Sequence, residues 1–220
     1  MINISMLDGL MSVLLIFGLP ARAIFRKRKT GISKTQAYQR SLATAAAIFC
    51  AFILLWSSQK RSLELLGLWP LRPVDFALIA TSIAALILLF IIGRMTMGRQ
   101  PAGGDPKPSS FPNGPEETRW FLIMASGLGV IWEILYRGYL QWSLGAVMGL
   151  WPAVLISAAA YGLAHGIKSR TQIIGSLISA LLFSAAYALS HSLWWLIVLH
   201  SGLPMVGILL NQRGSSTTST

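Results

Sequence analysis

A chain of 220 residues in which 54% are hydrophobic, with 18 basic and 7 acidic side chains, is not an ordinary water-soluble globule. Its net charge of +11 is concentrated, since seven of the basic residues lie between Arg22 and Arg40 with no acid among them, directly after an apolar stretch. That pattern marks a loop facing anionic lipid, so the bilayer rather than nucleic acid is the expected partner.

A hydrocarbon core about 30 Å thick takes about 20 helical residues, and the apolar runs supply such segments repeatedly. The first expected span is 5–24. Leu10 to Leu19 followed by Ala21-Arg22-Ala23 imitates a secretory signal, but the basic cluster follows the apolar run instead of preceding it, so the segment is read as a retained span. Charge-free runs of 19 residues from Ser41 to Gln59 and 18 from Phe76 to Gly93 predict spans at 41–58 and 74–93. Cys50, the single cysteine, sits inside the first of these and excludes an intramolecular disulfide or a Cys-built metal site.

Gly98 to Pro115 holds five of the ten prolines and reads as an irregular polar linker. Beyond it, 30 residues from Gly138 to Ile167 and 42 from Thr171 to Gln212 carry no Asp, Glu, Lys or Arg. These runs predict spans at 120–143, 150–166, 171–188 and 193–211. The expected fold is an all-α, polytopic membrane helix bundle of about seven transmembrane helices. Its parts are a three-span segment (1–97), the linker (98–117), a four-span segment (118–211) and a polar tail (212–220). With the N-terminus outside and the side alternating at each span, the inside loops carry 14 basic residues and the outside loops 4. The positive-inside bias therefore predicts a multi-pass cell-membrane protein with its C-terminus in the cytoplasm.

From Trp120 onward the only acid is Glu133, and all three histidines of the chain, His165, His191 and His200, also lie there. Ionisable groups at membrane depth are costly and face the bundle interior, which makes them candidate site residues. Glu133 and Arg137, spaced i, i+4, project from nearly one helix face and read either as a buried ion pair or as part of a site. His165 and His200 read as site residues or as hydrogen-bonded links between helices. His191, in Ser190-His191-Ser192, reads as a loop residue. Glu133, His165 and His200 are also the candidate ligands for a divalent metal such as zinc, although they lack the His-x-x-x-His spacing that pre-forms such a site.

Trp132-Glu133-Ile134-Leu135-Tyr136-Arg137 resembles the Glu-Glu-x-x-x-Arg motif of the CPBP intramembrane proteases, which include the type II CAAX prenyl endopeptidases. Tyr161-x-x-x-His165 is similar to their Phe-x-x-x-His motif, and Ser192-Leu193-Trp194 followed by His200 to their third motif; the likeness covers about 118–211. The resemblance implies a water activated by the first glutamate and the second-motif histidine. It also implies an oxyanion held by the third-motif histidine and an Asn four residues later, and a second glutamate paired with the arginine. Here Trp132 stands at the first glutamate and Pro204 at the Asn. An indole cannot accept a proton from water, and proline offers no donor.

Two functions follow from the resemblance. One is hydrolysis of peptide bonds within the membrane, with Glu133 and His165 as the base, His200 at the oxyanion and Arg137 beside them. The other is a catalytically inactive member that keeps a cavity for a membrane-associated peptide or protein and acts as a binding partner or regulator. A transporter is disfavoured, since no paired Gly/Pro-broken spans occur in corresponding halves.

Overall fold

The computed structural model describes residues 4–25, 31–97, 111–167 and 169–212. The basic cluster Arg26 to Lys29, most of the Pro-rich linker and the polar tail lie outside the described residues.

The described residues form seven helices: α1 (Met6–Phe25), α2 (Lys34–Ser58), α3 (Pro73–Met97), α4 (Pro115–Met148), α5 (Leu150–Ala164), α6 (Arg170–Ser190) and α7 (Trp194–Gln212). Five of them, α1 to α4 and α6, are long and apolar enough to cross a membrane, and α5 and α7 are shorter apolar helices. The chain is thus the all-α multi-pass membrane bundle that its composition predicts. Large apolar side chains such as Leu54, Ile87, Leu88, Leu182 and Leu189 are exposed on its outside. In water that would be a strong aggregation surface, whereas lipid is as apolar as they are.

Two helices begin earlier than hydropathy alone predicts, because their first turns are capped by polar groups. Ser33 and Gln36 form a reciprocal capping box before α2. Pro115 opens α4, and Glu116 and Glu117 sit in its first turn, where the helix dipole favours negative charge. A further departure is internal. Leu14–Gly18 in α1 and Glu133–Leu140 in α4 are π-helical, a wider turn that hydropathy does not signal and that frequently marks functional segments. All eight residues of the α4 π segment are buried. Ser157 on α5 donates to the Tyr136 carbonyl at 2.6 Å, giving this irregular backbone a partner that lipid could not supply.

The first three helices pack among the last four. α1 lies against α5, α2 against α4, and α3 against α7. The π segment of α4 is tied to α1 twice: the Tyr136 hydroxyl donates to the Leu15 carbonyl at 3.0 Å, and the Tyr139 hydroxyl donates to Asp8 Oδ1 at 3.1 Å. Asp8, fully buried, is gripped in turn by Arg61 at 2.7 and 2.8 Å from the loop after α2. Arg61 lies over the rings of Trp56 and Trp142.

Candidate functional site

The site is built where α4, α5 and α7 meet. Gly129, one turn before Glu133, lets α7 come close: a Cβ there would stand 2.7 Å from Ser201 Oγ. This close approach sets His200 beside the start of the π segment. Glu133 Oε1 lies 2.6 Å from His200 Nδ1 and 3.4 Å from Arg137 Nη1, and the side chains of Glu133 and Arg137 are fully buried.

The contacts continue beyond the carboxylate. Tyr161 Oη lies 3.1 Å from His200 Nε2, and the Arg137 guanidinium carbon is 3.9 Å from the centre of the Tyr161 ring. With His200 protonated on Nδ1, the imidazole donates to Glu133 and accepts from the Tyr161 hydroxyl, so carboxylate, imidazole and phenol form one chain of hydrogen bonds. The cation over the phenol face adds an attraction that strengthens where water is excluded.

His165 occupies a different position. It caps the C-terminus of α5, its Nδ1 is 3.0 Å from the Tyr161 carbonyl one turn back, and its ring packs edge-on to Tyr161 with centres 4.6 Å apart. The next residue, Gly166, has φ +76° and a missing Cβ that would meet the Ala23 carbonyl oxygen on α1 at 3.2 Å. A residue with a side chain would strain there, so glycine both ends α5 and seats it on α1.

These helices line a partly open cavity of about 370 Å³ whose wall includes Trp132, Tyr161, His165, His200 and Pro204. The positions that the sequence singled out therefore share one space, with three exceptions. Glu133 and Arg137 do not line it, although Arg137 packs on the ring of Tyr161 and Glu133 bonds to His200, which both do. His191 is remote, in the turn after α6 against Trp69 and Tyr187. Glu133 and His200 touch, but among the described residues no three His, Cys, Asp or Glu side chains are grouped so as to hold a metal ion. The candidate zinc set of Glu133, His165 and His200 is thus two neighbours and a histidine at another wall of the cavity.

Two parts of the site are not legible in the motif residues. Tyr161, read only as a stand-in for the motif's phenylalanine, supplies a hydroxyl to His200 that phenylalanine lacks. The first two helices, in which nothing diagnostic can be read, furnish a whole wall: Leu19, Arg22 and Ala23 from α1 and Ser41, Thr44 and Ala45 from α2. The signals available were Arg22 inside an apolar run and the alanine-rich stretch of α2.

Residues 115–206 match the family model described as type II CAAX prenyl endopeptidase Rce1-like. No curated protein and no solved structure matches the chain.

Proposed function

We propose, from the place of residues 115–206 in the CPBP/CAAX protease family, that this multi-pass membrane protein keeps the family's cavity as a binding site and does not hydrolyse peptides. One observation carries the reading. At the cavity wall stands the indole of Trp132, while the neighbouring carboxylate, Glu133, is fully buried and engaged by His200 and Arg137. Moving Glu133 into the cavity would draw it away from Arg137 and leave a buried charge without its carboxylate, which costs about 3 to 5 kcal/mol.

Beside Trp132 the wall carries the imidazoles of His165 and His200, the phenols of Tyr136 and Tyr161, the hydroxyls of Ser41 and Thr44 and the guanidinium of Arg22, and no carboxylate. A general base contributes about 10²- to 10⁴-fold to such a reaction, and one oxyanion donor about 10²- to 10³-fold in kcat. Trp132 and Pro204 remove one of each. The occupant would be a membrane-embedded peptide or lipid segment, and the chain would act as a partner or regulator of another membrane protein, held in the cell membrane with its N-terminus outside.

A second reading rests on His165 and His200, which both line the cavity and could serve hydrolysis if Glu133 acted as base through His200. Cleavage of a fluorogenic membrane-peptide library separates the two. We expect no His165-dependent cleavage by the wild type, and some by the Trp132→Glu, Pro204→Asn double variant that disappears on His165→Ala. Wild-type cleavage abolished by Glu133→Gln in a folded protein would establish the second reading.

A further inference from the structure

We propose that the cavity takes a single-chain anionic amphiphile, a fatty carboxylate, with its head at Arg22 and its chain along the apolar wall toward Trp132. The proposal rests on the binding reading above and adds the class of ligand. Arg22 is the one charged side chain among the described residues of the wall. It donates to Thr44 Oγ1 at 3.3 Å and forms no ion pair with a described carboxylate. It stands in the last turn of α1, exposed, where a cation is favoured by the helix dipole and an arriving anion would find a charged donor. The hydroxyls of Ser41 and Thr44 beside it already donate to carbonyls of their own helix, so they do not compete for that anion as donors.

Size selects one chain. A dry cavity of about 150 Å³ holds one benzene, so by proportion about 370 Å³ holds a ligand of about 15 carbon atoms. The two chains of a diacyl lipid together exceed that, so such a lipid would leave one chain outside the cavity. Alanines at 23, 45, 125 and 164 line the space where longer side chains would fill it. Because Arg22 and its wall come from α1 and α2, outside residues 115–206, the preference belongs to this chain and not to the segment that the family model describes.

The test uses the full chain in nanodiscs of phosphatidylcholine, with a photoactivatable palmitate analogue as probe and crosslinks mapped by mass spectrometry. Saturable labelling of cavity residues, displaced by palmitate, is expected. Arg22→Gln should weaken it about tenfold, the loss of one charge-assisted hydrogen bond, and Arg22→Lys should keep most of it. Ala125→Leu should block labelling with Arg22 in place, and gel filtration confirms that each variant is folded. Displacement by hexadecanol or by phosphatidylglycerol as effective as by palmitate would overturn the assignment. So would labelling spread over the lipid-facing surface, or labelling unchanged in Arg22→Gln. Peptide cleavage measured in the same nanodiscs keeps the two readings apart: cleavage with saturable palmitate binding removes only the non-hydrolytic reading, and no cleavage without palmitate binding removes only the ligand.

Discussion

His200 reaches Glu133 across the α4–α7 contact with an Nδ1 to Oε1 distance of 2.6 Å, and this bond joins the motif helix to the last helix of the bundle. Its strength comes from setting. A charge-assisted hydrogen bond between groups withdrawn from water is worth more than the same bond on a surface, and Glu133 is fully buried.

Removal of either charge of the Glu133–Arg137 pair should therefore destabilise the bundle by about 3 to 5 kcal/mol, whereas Glu133→Met with Arg137→Leu should cost less, because no unpaired charge is left inside. Reversible unfolding in mixed micelles measures this. Equal losses for the single and double variants would contradict the coupling.

Tyr161→Phe removes the hydroxyl that meets His200 and keeps the ring under Arg137. The expected loss is about 1 kcal/mol, a fall in Tm of about 2 to 4 °C for a chain of this size. Tyr161→Leu, which also removes the ring that the guanidinium covers, should lose clearly more. A Phe variant as unstable as the Leu variant would assign the whole effect to the hydroxyl.

His191 lies outside the spans, with φ +47°, and its imidazole packs against Trp69 and Tyr187. Partial burial, with Arg72 adding to it, lowers its pKa below the ordinary value of 6.5. The folded state thus disfavours the proton that the unfolded chain binds. This group's contribution is complete above about pH 6.5 and is lost as pH falls through that value toward the lower folded one. His191→Asn, which tolerates positive φ and does not titrate, should lose less stability than the wild type between pH 8 and pH 5. Identical slopes would show that His191 does not contribute.

The basic bias of the loops predicts that the α2–α3 loop faces outside and the α3–α4 and α5–α6 loops inside. In a Cys50→Ala background, Leu63→Cys should react with an impermeant thiol reagent applied to intact cells, and Glu116→Cys and Ile167→Cys only after permeabilisation. The opposite pattern would invert the topology.

How much of this could be read from the sequence depends on which interaction decides each feature. Spans are decided by length and apolarity, so all seven segments fall on helices. Glu133, Arg137, His165 and His200 stand out because lipid penalises them, and Glu133, Arg137 and His200 do meet. The π turn from Glu133 to Leu140 is not legible, since no composition distinguishes it from an α-helix; tertiary bonds such as Ser157 to the Tyr136 carbonyl support it. The share of α1 and α2 in the cavity was equally hidden, because it appears only when Arg22 and Ala45 are set against Met124, His165 and His200, all more than 75 positions further along the chain.

α5 has 15 residues, a rise of about 22 Å, about 8 Å less than the hydrocarbon core it borders. Such a mismatch is met by thinning the bilayer or by polar residues reaching for the interface, at fractions of a kcal/mol per Å. His165 stands at the C-terminal end of that helix and lines the cavity. The membrane's own thickness thereby becomes a variable of the site: a thicker, more ordered bilayer would press acyl chains over that end, and a thinner one would let headgroups and water meet the imidazole.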